Sequence, residues 1–459
     1  MKKVRFITKM KRIFYFLTIV VLMMACADDD NFSTASGLRL TFTKDTVKMD
    51  TVFARTPSST YSFWVHNQND EGIRLSSIRL NRRNQTGFRV NVDGSYLDNA
   101  LGSQVNDLEI RRNDSILVFV ELTSPETSQL EPKLIEDDLI FTLESGVEQR
   151  VNLRAWAWDA EKMYDPVVVG EQTIESATPI IIYGNLTVPE GTRLNLRNST
   201  IYFHEGGGIE CYGDLIIENC VLRGDRLDHM FDYLPYDRVS GQWKGIHLYE
   251  SSMTARLSNT EIRNAENAIV LDSAAFNKEN VRLGMGNCIV HNAEGYGLFA
   301  VNSNIYVANS QFSNTLGDCV FIAGGQAEIV YSTLAQFYPF SAIRGAALRF
   351  TNYYEETDLP LVGLRCEGLI VTGYDEDVLM GAVRDTTGIT AFEYQFVNSL
   401  LRTPKIDDAD SVHFANIIWE TSKDSIQGKQ HFVTIDEENL IYDFHLDSLS
   451  TAHGLGCYR

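Results

Sequence analysis

The sequence shows almost no helical periodicity, has few cysteines and carries far fewer cations than anions. Lys and Arg number 40 against 61 Asp and Glu, which gives a formal net charge of −21. Because nucleic-acid binding depends on neutralising phosphates, this charge argues against that partner, and it argues equally against adsorption to anionic lipid. The seven cysteines form no CxxC or His-rich spacing typical of zinc sites. Apart from Cys26, we therefore interpret them as buried small apolar side chains.

Motifs of several common catalytic sites are also missing. His204-Glu205 has no second His four positions further on, so the sequence contains no HExxH zinc site there. No G-x-S-x-G elbow occurs, and the NTD, GHG and RIK segments of polygalacturonase-like helices are absent. A carboxylate pair for glycoside hydrolysis cannot be chosen from 61 acidic residues without geometry. The sequence therefore indicates architecture more firmly than chemistry.

Residues 1–25 have the layout of a secretory signal peptide. A basic segment with six cations precedes a 13-residue apolar stretch, Ile13 to Ala25, which is too short to span a bilayer. Cys26 follows MMA, and this junction resembles a bacterial lipobox, in which the cysteine becomes the acylated N-terminus. Ordinary signal cleavage beside a chance cysteine is the alternative. Removal of the signal would lower the net charge from −21 to about −27, because it takes away cations alone.

An acidic linker over residues 26–37 follows the expected cleavage site. Its start, Ala27-Asp28-Asp29-Asp30, resembles the surface-export signal of lipoproteins in the Bacteroidota. A solvated linker without a targeting role is the alternative interpretation. No second hydrophobic run of about 18 residues occurs, so acyl chains on Cys26 are the expected anchor. We therefore expect an outer-membrane protein, held by lipid and facing the cell exterior.

Residues 38–160 predict an immunoglobulin-like β-sandwich. Short segments with period-2 alternation, such as YSFWVHN, FRVNV and SILVFVEL, are separated by clusters of Asn, Gly and Asp. No cysteine pair occurs in this part of the chain, which excludes an antibody-type domain. Residues 161–165 are interpreted as a hinge to the next domain.

An Asn-led strand signature repeats through residues 166–456 and predicts a parallel β-helix. It begins at Asn198, Asn219, Asn259, Asn287 and Asn309, with steps of 21, 40, 28 and 22 residues. A period near 22 with β-branched residues between polar corners is typical of stacked β coils, and the longer steps indicate insertions. The recurring asparagines are expected to form hydrogen-bonded ladders at the corners, which is a structural role. The predicted fold class is thus all-β, a sandwich followed by a solenoid.

Motifs in both domains resemble a family of Bacteroidota surface lipoproteins. The matching segments are DTV at 45, DTVF at 50, NVDG at 91, DSI at 114 and GQWKGIHL followed by NTEIRNAENAIVLDS. The resemblance covers nearly the whole chain, but the C-terminal DFHLDSLSTAHGLGCYR has a shorter cap than the family pattern. It implies a β-sandwich before a right-handed parallel β-helix, and it implies no settled biochemical activity.

The 40-residue step contains the main candidate ligand site. Its segment 224–243 combines carboxylates, arginines and aromatic rings, which suit sugar rings and their hydroxyls. The alternative is a loop that folds back on the solenoid and satisfies itself through Asp–Arg pairs. The candidate ligand-binding residues are Asp225, Arg226, Asp228, His229, Tyr233, Tyr236 and Trp243, and Phe231, Asp232, Asp237 and Arg238 lie among them.

The acidic triplet Asp375-Glu376-Asp377 is a candidate calcium site near Arg384. Adjacent residues on a strand point to alternate faces, however, so the three carboxylates do not converge through spacing alone. A solvated turn is the preferred interpretation, and no cofactor is expected.

Asp-Ser or Asp-Thr followed by an aliphatic residue or Thr occurs eight times and resembles the O-glycosylation sequon of exported Bacteroidota proteins. Attached sugar would require exposed sites. The alternative is that these dipeptides favour turns. The candidate sites are Thr46, Thr51, Ser115, Ser273, Thr386, Ser411, Ser425 and Ser448.

Three functions remain open from sequence. The leading hypothesis is a non-catalytic surface lipoprotein whose β-helix binds glycan or a partner protein. The second is a polysaccharide lyase or glycoside hydrolase on the same scaffold, and the third is a purely structural envelope protein. A groove along one sheet, lined by acids with an Arg or Lys, is the feature that would favour an enzyme.

Overall fold

The structure is a computed structural model that describes residues 31–384, 389–421 and 426–459. The signal peptide, Cys26, Thr386 and Ser425 lie outside these residues. The described chain divides into two compact units, one ending at Trp158 and the other beginning at Asp159. Nearly all of its regular structure is β, and the predicted all-β class with a sandwich followed by a parallel β-helix is confirmed. No helix among the described residues is long and apolar enough to cross a membrane.

The first unit is a two-layer sandwich. Its strands are β1 Thr41–Phe42, β2 Thr46–Phe53, β3 Tyr61–His66, β4 Ile73–Leu80, β5 Phe88–Val92, β6 Ser95–Tyr96, β7 Gln104–Ile110, β8 Ser115–Leu122, β9 Lys133–Leu143 and β10 Glu148–Trp158, with a 3₁₀ turn at Asn99–Leu101. One sheet has the strand order β1-β3-β8-β5-β6 and the other β2-β10-β9-β4-β7. Strand β8 shows why the layers pack, because Ile116, Val118, Val120 and Leu122 alternate with outward residues and are buried.

The second unit is a parallel β-helix whose strands pair coil on coil on three faces, named sheets A, B and C. Sheet A contains Glu171–Glu175, Arg193–Arg197, Asp214–Glu218, Ala255–Ser258, Leu283–Gly286, Leu361–Glu367 and the later halves of Leu298–Ala308 and Val320–Val330. Sheet B contains Glu161–Tyr164, Ile180–Tyr183, Thr200–Phe203, Val221–Gly224, Glu261–Arg263, Ile289–Ala293, Gln311–Thr315, Thr333–Gln336 and Ile370–Gly373. Sheet C contains Asn185–Val188, Gly208–Cys211, Ile246–Leu248, Ile269–Leu271, Leu348–Thr351, Leu379–Ala382 and the earlier halves of Leu298–Ala308 and Val320–Val330. The strands Phe392–Leu401 and Phe414–Trp419 run from sheet A into sheet B.

Smaller elements decorate the β-helix. They are the hairpins His229–Phe231 with Leu234–Pro235, Tyr353–Tyr354 with Thr357–Asp358 and Phe432–Asp436 with Ile441–Leu446, the 3₁₀ turns Tyr236–Arg238 and Ala409–His413, and the helical turn Ile426–Lys429.

The β-helix core consists of aliphatic side chains stacked in register. Leu215, Ala255, Leu283, Ile305 and Ala327 are successive register partners in sheet A, and all are buried. Neighbouring strands lie about 4.8 Å apart, so each side chain contacts its equivalents above and below. The six cysteines of the described residues are unpaired, and five are buried. Burial raises the pKa of the Cys211 thiol to about 11, as expected for an unreactive core position.

The parallel stack differs from the predicted boundaries at both ends. Glu161–Tyr164, within the predicted hinge, is a strand that pairs with Ile180–Tyr183. Its sequence EKMY has no apolar alternation, so only the backbone pairing reveals it. At the other end the parallel sheet finishes at Trp419, and the later residues form an antiparallel hairpin instead of a coil.

The repeated asparagines occupy corners between sheets A and B, as predicted. Asn198, Asn219, Asn259 and Asn287 all have positive φ, a left-handed conformation that Asn tolerates better than most residues. The side-chain amides of the last three donate to the carbonyl oxygen of the preceding asparagine at 3.1 Å, and the amide of Asn198 donates to Glu175 Oε1 at 2.8 Å. This outer Asn ladder stabilises the corners, which confirms the structural interpretation of these residues.

Candidate functional site

The insertion, residues 225–242, folds back on itself, and several of its charged side chains pair with partners within the protein. Arg226 donates two hydrogen bonds to the carboxylate of Asp228, at 2.8 and 2.7 Å. Its guanidinium also lies over the ring of Tyr236, 3.9 Å from the centroid. Asp225 contacts His204 Nδ1 at 2.7 Å. Four of the candidate ligand residues therefore contact partners within the protein, as the self-satisfied alternative predicts.

The tip of the insertion is an exposed aromatic hairpin. Phe231 and Tyr233 are 54% and 79% exposed, and their rings stack with centroids 5.6 Å apart. His229, another candidate ligand residue, is exposed in the same hairpin. Exposed rings of this kind are suited to stacking on a ligand.

Trp243 is not a ligand-binding residue, which corrects the sequence interpretation. Its side chain is 0% exposed and belongs to the β-helix core. The ring stacks on Phe203 at 4.4 Å between centroids, and Nε1 donates to the carbonyl of Arg263 at 2.9 Å. The physical reason is that a coil must close after the insertion, and Trp243 fills the core where the chain returns.

A concave site lies on the outer face of sheet B, between the insertion and the C-terminal hairpin, which is formed by Phe432–Asp436 and Ile441–Leu446. It is a cavity of about 300 Å³, and none of the seven candidate residues lines it. Sheet B and its bends contribute Glu261, Arg263, Ile289, His291, Asn292, Gln311 and Asn314, the insertion contributes Asp237 and Arg238, and the remainder comes from Pro339, Leu440, Tyr442, Asp443, Phe444, His445 and Tyr458.

Arg263 is the electrostatic centre of the cavity. Its guanidinium pairs with Glu261 on the same strand and with Asp237 of the insertion at 3.3 Å. Arg223, one coil earlier, forms an ion pair with the same Asp237 carboxylate at 2.6 Å. These two arginines occupy one register column of sheet B, so their like charges repel each other. Asp237 of the insertion supplies the negative charge that stabilises them side by side.

His291 continues this column as a neutral side chain. Burial, together with the charge of Arg263, lowers the pKa of His291 to about 4. Its Nδ1 lies 2.8 Å from the hydroxyl of Ser313, and its ring contacts Tyr442 and Phe444 of the C-terminal hairpin. The cavity floor therefore changes from charged to neutral along the solenoid axis.

A second ladder of asparagines ends at the cavity. Asn264, Asn292 and Asn314 all have positive φ, and the amide of Asn292 donates to Asn264 at 2.8 Å. Asn314 is buried, and its Oδ1 has no hydrogen-bond partner among the described residues. Arg263 Nε and the Tyr442 hydroxyl are likewise buried without a partner there. Unpaired buried polar atoms are costly, so these three groups favour an additional binding partner at this place.

The C-terminal hairpin roofs the cavity and is fixed to sheet B by apolar packing. Phe432 and Phe444 pack with Phe337, Ile370 and Leu400 in one buried cluster. On the cavity side, the hydroxyl of Tyr458 donates to Gln311 Oε1 at 2.9 Å. The guanidinium of Arg238 donates to the backbone carbonyl of Asn439, which joins the insertion to the hairpin. The roof therefore comes from two segments far apart in sequence.

The carboxylates of the cavity are poorly suited to general acid catalysis. A general acid for glycoside hydrolysis requires a raised pKa. The pKa of Asp443 lies below its usual range instead, mainly because its carboxylate accepts a hydrogen bond from the backbone N–H of His445. Asp237 and Glu261 are both ion-paired with arginine. The arrangement can donate and accept hydrogen bonds to a polar ligand beside aromatic rings.

The acidic triplet lies in an exposed turn. Asp377 accepts hydrogen bonds from the Thr403 hydroxyl at 2.8 Å and from the backbone of Leu379 at 3.4 Å. Within residues 31–384, 389–421 and 426–459, no group of three or more His, Cys, Asp or Glu side chains is placed to hold a metal ion.

The candidate O-glycosylation sites differ in exposure. Ser273 and Ser448 are exposed, and Thr46, Thr51, Ser115 and Ser411 are partly buried. Thr46, Thr51 and Ser115 lie in strands of the sandwich, where attached sugar must project from a paired backbone. The two exposed sites are therefore the most accessible of the described set.

Sequence reasoning missed the cavity because its residues come from distant segments. The final Asn of NTEIRN, NCIVHN and NSQFSN carried a signal, since those residues are Asn264, Asn292 and Asn314 of the second ladder. The contribution of residues 440–458 had no comparable signal, because the hairpin contacts sheet B through tertiary packing.

No protein-family model matches this sequence, and no curated protein matches it. Among solved structures, the chain is similar to the catalytic unit of a thermostable GH87 α-1,3-glucanase from Streptomyces thermodiastaticus, at 11% identity, with 79% of this chain and 90% of that chain covered and a TM-score of 0.31. A family 123 glycoside hydrolase from Clostridium perfringens matches at 8% identity over 28% of this chain, with a TM-score of 0.19. A Porphyromonas gingivalis protein of unknown function matches at 10% identity over 28% of this chain, with a TM-score of 0.19. This chain spans 30% and 60% of the last two, and these likenesses assign it no family or activity.

Proposed function

We propose that the protein is a cell-surface lipoprotein whose β-helix binds glycan in the sheet B cavity without catalysing a reaction. One observation carries the proposal. The cavity places the aromatic rings of Tyr442 and Phe444 beside three polar atoms that have no hydrogen-bond partner in the described part of the chain, Arg263 Nε, Asn314 Oδ1 and the Tyr442 hydroxyl. A ligand with several hydroxyl groups can donate to and accept from these atoms while its ring contacts the aromatic side chains.

A polysaccharide lyase or glycoside hydrolase is the second candidate, because carboxylates and an arginine line the same cavity. Asp237, Glu261 and Asp443 lie there with Arg263, which is the acid-lined groove expected of such an enzyme. The lowered pKa of Asp443 and the ion pairs of the other two carboxylates favour binding over hydrolysis. A reducing-end assay with and without calcium separates the two functions, since only an enzyme releases new ends.

The cavity hydroxyl offers a direct test by mutation. Tyr442→Phe keeps the ring and removes the unpartnered hydroxyl, so glycan affinity is expected to fall about fivefold with little change in stability. A glycan array identifies the ligand, and titration calorimetry measures the affinity of each variant. Tyr96→Phe, an exposed position in the sandwich, is the matched control and is expected to bind as the unchanged protein does. Equal glycan affinity of the unchanged protein, Tyr442→Phe and Tyr96→Phe would contradict binding in the sheet B cavity.

The proposed location is the outer membrane, with acyl chains on Cys26 as anchor, the chain facing the exterior and O-linked sugar on some Asp-Ser and Asp-Thr sites. The lipobox-like MMAC and the aspartates after it support this proposal. We expect Cys26→Ala to release the protein from membranes, because the variant carries no acyl chains to insert into the bilayer. Fractionation with a high-salt wash measures this, and retention of the variant in the membrane fraction would contradict lipid anchoring.

A further inference from the structure

A line of outward residues on sheet A borders two depressions that are separate from the sheet B cavity. Seven register partners form the line, one from each successive coil, over six steps of about 4.8 Å. They are Ile216, Arg256, Gly284, Tyr306, Glu328, Arg365 and Gln395. We name this line the sheet A track, and it extends for roughly 29 Å along the solenoid axis.

The first depression, about 390 Å³, arises because one coil lacks outward side chains there. Gly284 and Gly286 occupy both outward positions of one strand. A Cβ built on Gly286 meets no atom within 4 Å. The stem of Arg256 forms part of the floor, since its guanidinium donates to the carbonyls of Ala255 and Val281 at 2.8 Å. The ring of Tyr306, 40% exposed, borders the depression.

The second depression, about 470 Å³, lies at the other end of the track. Its floor is Gly363, where the pairing shifts register and a Cβ would meet only Gln326 Cγ at 4.0 Å. Amide and carboxylate groups of Gln326, Glu328 and Gln395 surround it. Glycine at such positions allows a ligand to approach the backbone closely.

We propose that the sheet A track is a second binding site, which holds an extended neutral oligosaccharide parallel to the solenoid axis. The proposal rests on the glycan binding proposed above but concerns a different surface. Sheets A and B meet at the outer Asn ladder, so the track and the cavity lie on opposite sides of that corner. One chain of sugar units can occupy both depressions and stack on Tyr306 between them.

The charges of the track favour a neutral ligand. Arg365 pairs with Glu367 at 2.7 Å and lies 3.9 Å from Glu328, while the Arg256 guanidinium is held by backbone carbonyls. Neither arginine therefore offers an open fork to a carboxylate or sulfate group. Hydroxyl groups can instead bond to the Gln326 and Gln395 amides, which carry both donors and acceptors.

The length of the ligand tests the proposal. Neutral gluco-, manno- and xylo-oligosaccharides of increasing length are titrated into the full protein by calorimetry. Affinity for one series is expected to rise about tenfold or more at the length that spans both depressions, because the second contact becomes intramolecular. An affinity that does not depend on length in any series, or no binding of any series, would overturn the track.

Two variants locate the effect on sheet A. Gly363→Trp fills the second depression at a position without positive φ, and Tyr306→Ala removes the bordering ring. Each is expected to reduce affinity for long chains about tenfold and to leave the shortest chains unchanged. Circular dichroism confirms folding of each variant, and Tyr306→Ala decides the case if Gly363→Trp misfolds. Tyr442→Phe reports the cavity separately, so loss of either site is distinguished from loss of the other.

Discussion

Replacing Trp243 with alanine is expected to lower the free energy of unfolding of the β-helix by about 3–5 kcal/mol. The indole is fully buried, stacks on Phe203 and donates to the carbonyl of Arg263. Truncation leaves a large cavity in the coil that the insertion interrupts, and it also leaves that carbonyl without its donor. Urea unfolding followed by circular dichroism measures the change.

Tyr233→Ala is the matched control for Trp243, since both aromatic residues belong to the candidate site read from the sequence. Tyr233 is 79% exposed, so its removal is expected to change stability by less than about 0.5 kcal/mol. A Trp243→Ala protein as stable as the Tyr233→Ala protein would contradict the core assignment of Trp243.

Replacing Glu420 with alanine is the second change expected to have a large effect, a loss of about 3–5 kcal/mol. Glu420 Oε1 contacts His431 Nε2 at 2.9 Å, and its Oε2 accepts from the Thr372 hydroxyl at 2.9 Å. Arg402, fully buried, lies 3.7 Å from the same carboxylate. His431 also contacts Ser450 at 3.0 Å, so the network ties the C-terminal hairpin to the coils.

Hydrogen exchange of residues 432–446 measures the effect of removing Glu420, because a hairpin released from the coils exchanges faster than the coils themselves. Glu190→Ala, an exposed carboxylate, is expected to leave exchange unchanged. Protection of the hairpin equal to that of the unchanged protein would show that apolar packing alone holds it.

The same network predicts a pH dependence. Burial alone would raise the pKa of Glu420, but hydrogen bonds from His431 and Thr372 and the charge of Arg402 outweigh it, so the pKa lies below its usual 4.5. The stabilisation is therefore complete above that value and is lost as the pH falls through the lower, folded-state pKa. Glu420→Gln is expected to abolish this component of the acid transition.

The solenoid could be predicted because its physical cause is local and repeats. Each corner needs a residue that tolerates positive φ, and each coil needs aliphatic residues at alternating positions, so Asn198, Asn219 and Asn259 mark the period directly. The sandwich followed from period-2 alternation in the same way. The strand Glu161–Tyr164 escaped notice because backbone pairing alone defines it.

The candidate site was predicted less well, for reasons of tertiary structure. The composition of the insertion indicated a ligand site. It could not distinguish Trp243, which lies in the core, from Tyr233, which is exposed. Asp237 and Arg238 belong to the cavity only because the C-terminal hairpin packs beside them. Nothing in residues 440–458 indicates that packing before the fold is known.

The outer Asn ladder has a consequence for how such a protein can vary. Its hydrogen bonds are 3.1 Å long whether the two asparagines are 21, 28 or 40 residues apart. The spacing of the stacked asparagines therefore does not depend on the number of residues between them. The length of chain between Asn219 and Asn259 can therefore change without altering the ladder, provided that an acidic residue such as Asp237 remains beside Arg223 and Arg263. The insertion and the coils are thereby free to change in length independently within one molecule.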